Sequence, residues 1–240
     1  MSVHLIGGGA TTSADALLHA PFVSEAALRA SQDGRARTRI AVISLQPEAA
    51  EKAAALGELL TEAAGDSEID MHLIAGRPGE PIEIDAIVGV DGIAVGGGVV
   101  EDVRAGLEPV FSELRRLVAG GVPYLGVSAG AMIAGETSFG GGSRIGGMVV
   151  SPEDPDDGYE LEIETGIGLV ELAVEVHTAQ RGMLSRLVAA VESGLVTEGL
   201  GIDERTAVIV SADGLRIEGE GNVWRVLPAE GGVLVTRISP

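Results

Sequence analysis

Val122-Pro123-Tyr124-Leu125-Gly126-Val127-Ser128-Ala129-Gly130-Ala131-Met132-Ile133 reads as a short apolar strand that turns sharply into a helix. Within it, Gly126-Val127-Ser128-Ala129-Gly130 fits the Gly-x-Ser-x-Gly pattern of a nucleophile elbow. A strand-to-helix turn this tight brings backbones close together, so glycine is needed on either side of the serine. The hydroxyl is left at a helix amino terminus, where the dipole and unpaired amides stabilise developing negative charge. The amide of Ala129 is therefore a natural oxyanion donor. Taken alone, the pentapeptide also fits a turn of small residues whose serine caps the helix.

On the amino-terminal side of this turn, apolar runs alternate with helical stretches. Val3-His4-Leu5-Ile6 runs into Gly7-Gly8-Gly9, and Arg39-Ile40-Ala41-Val42-Ile43 runs into Ser44. An Ala/Leu/Glu-rich helix is predicted over residues 47–64, then a strand over 69–74. Gly92-Ile93-Ala94-Val95 ends in Gly96-Gly97-Gly98, and a helix follows through Arg115 and Arg116. Short apolar strands separated by helices predict an α/β fold, a mostly parallel sheet flanked by helices on both faces. In such sheets the active site lies outside the carboxyl ends of the strands.

On the carboxyl-terminal side, residues 139–168 are rich in Gly, Pro, Asp and Glu and lack a clear period. They read as a long excursion with one short strand around Met148-Val149-Val150, the kind of segment that forms lids or binding loops. After His177 a helix is expected, running to about Val191. Residues 207–211, 215–218, 223–227 and 233–238 read as short antiparallel strands, a β extension of the same domain. With no internal repeat or low-complexity linker, the 240 residues are expected to form one domain, residues 1–240.

Composition narrows the function. Apolar residues are 45% of the chain, enough for a sizeable core, but aromatics are only 2%, so Ala, Val, Ile and Leu must build it. The absence of cysteine excludes disulfides, thiolate metal sites and a cysteine nucleophile. The formal charge of −20, with Lys52 as the sole lysine, leaves no basic surface for nucleic acid. It reads as a solvated surface that favours solubility. No charge-free apolar run approaches the length of a membrane span, and residues 1–10 have neither a cationic region nor a long apolar stretch. A cytoplasmic location is expected, without a membrane partner.

A serine nucleophile needs a base, and the histidines are four: His4, His19, His72 and His177. His4 and His72 lie inside strands and His19 in the first helical region. His177 follows Leu172-Ala173-Val174-Glu175-Val176, at the carboxyl end of a strand, which puts it on the catalytic edge. A histidine at a strand end can also simply pack or cap there. For the orienting carboxylate, the most informative stretch is Gly201-Ile202-Asp203-Glu204-Arg205-Thr206-Ala207. Adjacent side chains point apart, so one acid is expected to face the histidine and the other to cap a turn. Spacing does not say which. Gly96-Gly97-Gly98 offers a second oxyanion amide; Gly7-Gly8-Gly9 is equally glycine-rich, and neither forms a dinucleotide fingerprint. No cluster has metal-ligand spacing, and no cofactor is expected.

These pieces together resemble the family of serine peptidases that contains cyanophycinase and aspartyl dipeptidase (peptidase E). Gly126-Val127-Ser128-Ala129-Gly130-Ala131 is similar to its nucleophile motif. The run His177-Thr178-Ala179-Gln180-Arg181-Gly182-Met183-Leu184-Ser185-Arg186-Leu187 resembles the cyanophycinase motif His-Phe-Ser-Gln-Arg-Gly-Arg-Leu-Gly-Arg-Leu. Gly201-Ile202-Asp203-Glu204-Arg205-Thr206-Ala207 resembles its Gly-Ile-Asp-Glu-x-Thr-Ala motif. The resemblance implies a fold like that of class I glutamine amidotransferases and a Ser-His-Glu triad on Ser128, His177 and Glu204. It also implies oxyanion amides from Gly98 and Ala129, substrate-binding arginines at Arg181 and Arg186, and a homodimer.

Cyanophycinase cuts a polymer of aspartate bearing arginine side groups, and peptidase E removes amino-terminal aspartate. This chain departs from the cyanophycinase pattern at Val99-Val100 and Glu175-Val176, where that enzyme carries Asp-Gln, and at Met183, where it carries arginine. The expected substrate is therefore a small aspartyl or β-aspartyl peptide or isopeptide. The alternative is a relative that keeps the scaffold as a ligand-binding or regulatory module; the retained serine, histidine and glutamate argue for hydrolysis.

Overall fold

The computed structural model describes residues 2–152 and 159–240; residues 153–158 of the expected excursion lie outside the described residues. Five parallel strands form the centre of a sheet: β1 (Ser2–Ile6), β2 (Thr38–Leu45), β3 (Ile69–Gly76), β4 (Gly92–Val95) and β5 (Tyr124–Val127). They stand in the order β1-β5-β4-β2-β3. The helices α1 (Ala20–Gln32), α2 (Ala49–Ala64), α3 (Val100–Leu107) and α4 (Phe111–Ala119) connect them, and α5 (Ala129–Met132) is the single turn after β5.

Strand residues alternate between the two faces of this sheet. Ile6, Ile40, Val42, Ala94 and Leu125 pack with Phe22, Val23 and Leu60 of α1 and α2. Leu5, Ala41, Ile43, Ile93, Val95 and Tyr124 face the opposite side, with Val103, Leu107, Leu114 and Val118 of α3 and α4. A strand buried on both faces cannot show polar alternation, which is why these runs read as continuously apolar. The scarcity of aromatics is met by close packing: a Cβ on Gly92 would stand 2.9 Å from the Phe22 ring.

Among the described residues, four short strands lie in and at the start of the excursion, β6 (Thr137–Phe139), β7 (Arg144–Ile145), β8 (Met148–Val149) and β9 (Ile163–Thr165), paired β6 with β9 and β7 with β8. The remaining elements are β10 (Ala173–Val176), α6 (Leu184–Glu192), β11 (Gly199–Ile202), β12 (Thr206–Ser211), β13 (Gly214–Gly219), β14 (Val223–Ala229) and β15 (Gly232–Ile238).

The carboxyl-terminal strands divide between two sheets. β12 runs antiparallel beside β1 and β13 beside β12, completing a seven-stranded sheet. β14 and β15 instead extend a second sheet, β10-β11-β14-β15, whose first pair is parallel. The sequence pattern sees four strands of one kind, because strand period says nothing of which edge a strand joins. The short link from β11 to β12 thus crosses from one sheet to the other, and it carries Asp203 and Glu204. Among the described residues no helix is long and apolar enough to cross a membrane.

Candidate active site

Register brings the site together. β1 pairs with β5 so that Ile6 stands beside Val127, and the next residues, Gly7 and Ser128, leave the sheet side by side. β10 pairs with β11 so that Val176 stands beside Ile202, and His177 and Asp203 leave together. Three consecutive carbonyls at the end of β1 then accept three backbone amides. Ile6 O accepts Ser128 N at 2.9 Å, Gly7 O accepts His177 N at 3.0 Å and Gly8 O accepts Arg205 N at 2.8 Å.

The elbow has the geometry its glycines require. A Cβ on Gly126 would overlap the carbonyl of Gly130, and one on Gly130 would overlap the carbonyl of Val95. Ser128 itself takes φ 53° and ψ −114°, a conformation that L-residues rarely adopt. His177 (φ 51°) and Arg205 (φ 53°) are also left-handed. With Glu48, these are all the positive-φ non-glycine residues among those described, and three of the four lie at this site. Such strain costs on the order of 1–3 kcal/mol per residue and persists where the surroundings impose it.

Ser128 Oγ lies 2.8 Å from His177 Nε2, and His177 Nδ1 lies 2.7 Å from Glu204 Oε1. A neutral imidazole in this arrangement donates Nδ1–H to the carboxylate and accepts the serine proton at Nε2. Asp203 turns the other way. Nearly fully buried, it accepts from Ala179 N at 3.0 Å, Asn222 N at 2.9 Å, Asn222 Nδ2 at 3.3 Å and Trp224 Nε1 at 3.0 Å. It ties the first turn after β10 to β14 and leaves Glu204 for the histidine. Glu204 N donates to Gln180 Oε1 at 2.9 Å, so the loop after His177 fixes the acid's backbone as well.

Gly8 and Gly9 belong to the site although the sequence marks them only as a glycine run. A Cβ on Gly8 would overlap the His177 ring, and one on Gly9 would come within 2.6 Å of Glu204 Oε2. Both glycines have positive φ, 100° and 70°. The available signal is that this run ends a fully buried strand at the catalytic edge of the sheet. Gly97 packs against Ser128 in the same way: its Cβ would stand 3.3 Å from the serine Cβ.

A cleft of about 410 Å³ opens at Ser128 and His177, lined also by Gly98, Val99, Val100, Met132, Arg181 and Met183. Val99, Val100, Glu175, Val176 and Met183, where this chain departs from the cyanophycinase pattern, all line this cleft. Ala129 opens α5, where backbone N–H groups lack intrahelical partners. Arg181 is an exposed cleft residue. Arg186 also lines the cleft, yet its guanidinium is engaged by Glu175 at 2.8 and 3.0 Å and by the carbonyls of Gly140 and Gly142. Among the described residues no group of three or more His, Asp or Glu is arranged to hold a metal.

The sequence profile of peptidase family S51 matches residues 35–218. The cyanophycinases of Synechococcus elongatus and Thermosynechococcus vestitus are each 32% identical over 200 residues, 79% of this chain and 60% of theirs. The chain thus spans about 60% of the length of these curated relatives. Two crystal structures share the fold. A peptidase from an acI-B1 Actinobacterium superposes with a TM-score of 0.66 at 16% identity, over 99% of this chain and 96% of that one. A putative peptidase E protein from Listeria monocytogenes gives 0.52 at 14%, over 92% and 98%. The chain belongs to peptidase family S51.

Proposed function

We propose that this member of family S51 is a serine-type peptidase or isopeptidase that hydrolyses short aspartyl or β-aspartyl peptides. The observation that carries the reading is the chain of two short contacts, Ser128 Oγ to His177 Nε2 at 2.8 Å and His177 Nδ1 to Glu204 Oε1 at 2.7 Å. His177 takes the Ser128 proton as the hydroxyl attacks the amide carbonyl. Glu204 holds the imidazolium, and the amides of Gly98 and Ala129 receive the oxyanion. The same imidazolium then protonates the leaving amine, and water releases the acyl group by the reverse path. General-base and oxyanion contributions are each worth roughly a hundredfold or more in rate.

Arg181 gives the cleft a guanidinium for a substrate carboxylate. Val99, Val100 and Met183 remove polarity at the positions where cyanophycinase has it, which favours short peptides over the arginine-bearing cyanophycin polymer. Such a substrate is soluble, and the charge of −20 repels nucleic-acid phosphates.

A fluorophosphonate probe should label the wild-type protein, and Ser128→Ala should abolish labelling. Ser128→Ala and His177→Ala should each lower peptide turnover by several orders of magnitude, because the residues act as a unit. Absence of labelling in the wild type overturns the serine-hydrolase reading. Efficient degradation of cyanophycin overturns the preference for short peptides.

A further inference from the structure

Gly140, Gly141 and Gly142 form part of the cleft wall, and charged side chains hold all three. Arg186 Nη1 donates to Gly140 O at 3.3 Å and to Gly142 O at 3.4 Å. The N–H of Gly141 donates to Glu101 Oε1. The other edge of the guanidinium makes a two-point pair with Glu175, Nε to Oε2 at 2.8 Å and Nη2 to Oε1 at 3.0 Å. Glu175 Oε1 also accepts Val176 N at 3.1 Å, and the guanidinium carbon stands 5.8 Å from the Phe139 ring centre. Arg186 is 7% exposed and Glu175 1%.

A buried ion pair is a weak source of stability, because the cost of desolvating both charges offsets their attraction. What it supplies is direction. A planar guanidinium locked along one edge has its remaining nitrogen aimed at one place, and here that place is the pair of glycine carbonyls. Three glycines have no side chains to anchor them, so contacts to their backbone set where this wall stands: Gly140 N donates to Glu162 O at 2.8 Å and Glu162 N to Gly141 O at 3.0 Å, and the charged side chains add to that pair. Its two side-chain holders, Glu101 and the Arg186–Glu175 pair, come from different elements. Glu101 lies in the first turn of α3, just beyond Gly98, whereas Glu175 precedes His177 by two residues on β10.

We infer that Arg186, oriented by Glu175, is a positioning residue that together with Glu101 fixes the glycine wall of the cleft and so sets substrate affinity. Its charge is spent inside the protein and does not bind the substrate's carboxylate. The effect on substrate rests on the peptidase reading; the effect on the wall does not.

Two measurements on Arg186→Met and Glu101→Met test it, the second because methionine has no oxygen to accept the Gly141 N–H. Amide hydrogen exchange over residues 140–142 should speed up by about tenfold in both variants, since each loses one anchor of that segment. The KM for a short aspartyl peptide should rise by about tenfold in Arg186→Met, with the rate of Ser128 labelling by a small fluorophosphonate falling far less than kcat/KM. Arg186→Lys should not restore KM, because a single ammonium cannot hold Glu175 and both carbonyls. Glu101→Met leaves the buried pair intact, so it decides the matter if Arg186→Met fails to fold. Unchanged exchange in the folded variants overturns the inference, as does an unchanged KM or a labelling rate that falls in parallel with kcat/KM. If the wild type neither labels nor cleaves peptides, the peptidase reading fails while exchange still decides whether the wall is positioned this way.

Discussion

Asp203 and Glu204 are neighbours in the chain, and their carboxylates serve opposite sides of it. Asp203 is buried under four donated hydrogen bonds, whereas Glu204 reaches His177 Nδ1 at 2.7 Å. Two substitutions that each remove one negative charge should therefore fail differently.

Glu204→Gln should lower turnover about ten- to a hundredfold while leaving the melting temperature nearly unchanged, because the amide can still contact the imidazole but no longer balances its charge. Asp203→Asn should lose about 3 kcal/mol, since hydrogen bonds to a charged group are worth about 1.5–3 kcal/mol and the new NH2 faces donors. For a chain of this size that is a drop of roughly 6–12 °C in Tm. A fully active Glu204→Gln beside an inactive but stable Asp203→Asn would reverse the assignment.

Gly8→Ala should lower turnover by at least about a hundredfold, because the added methyl occupies the space of the His177 ring and a misplaced base costs rate on that scale. The positive φ adds a stability loss of about 1 kcal/mol. Gly34→Ala is the control. It has φ 73° but no atom within 4 Å of the new carbon, so it should show the stability loss alone. Equal turnover in the two variants would remove Gly8 from the site.

Tyr124 is fully buried, with its phenol donating to Gly130 O at 2.7 Å beneath the elbow. Burial pushes its ionisation up, so it stays a neutral donor throughout the working range. Tyr124→Phe should cost about 1 kcal/mol in urea unfolding, the usual worth of one such bond. Because that bond holds the first turn of α5, kcat should fall more than KM rises.

His19 is fully buried, and desolvation pulls its pKa below the ordinary value of 6.5 despite a contact of Nδ1 with Asp15 O at 3.2 Å. Between its folded pKa and about 6.5, the unfolded chain binds the proton more readily than the folded one. Its contribution is thus fully present above 6.5 and is lost as pH falls towards the folded pKa. The stability difference between wild type and His19→Gln should therefore shift against the wild type from pH 7.5 to 5.5. A difference independent of pH would mean that His19 keeps an ordinary pKa.

The parallel sheet and the elbow are legible in the sequence because they rest on local rules. Buried parallel strands are continuously apolar, and a sharp strand-to-helix turn demands glycine at fixed offsets. His177 is legible because few histidines exist and only one follows a strand in this way. The choice of Glu204 over Asp203 rests on resemblance, because it depends on Asn222 and Trp224 arriving from a distant strand. The pairing of Arg186 with Glu175 is not legible, because eleven positions of sequence separation carry no hint of it. The role of Gly8 and Gly9 was equally hidden, since the histidine and glutamate they accommodate lie about 170 and 195 residues further on.

The three consecutive carbonyls of Ile6, Gly7 and Gly8 act as a ruler against which the serine, histidine and glutamate segments are set. Insertion or deletion of one residue there would put every segment out of step at once, whereas the same change in the tip between β7 and β8 would disturb none of them. Length variation among descendants of this chain should accordingly collect in that excursion and be barred from the end of β1. The end of β1, although it supplies no reacting group, thus constrains the chain through its length rather than through its side chains.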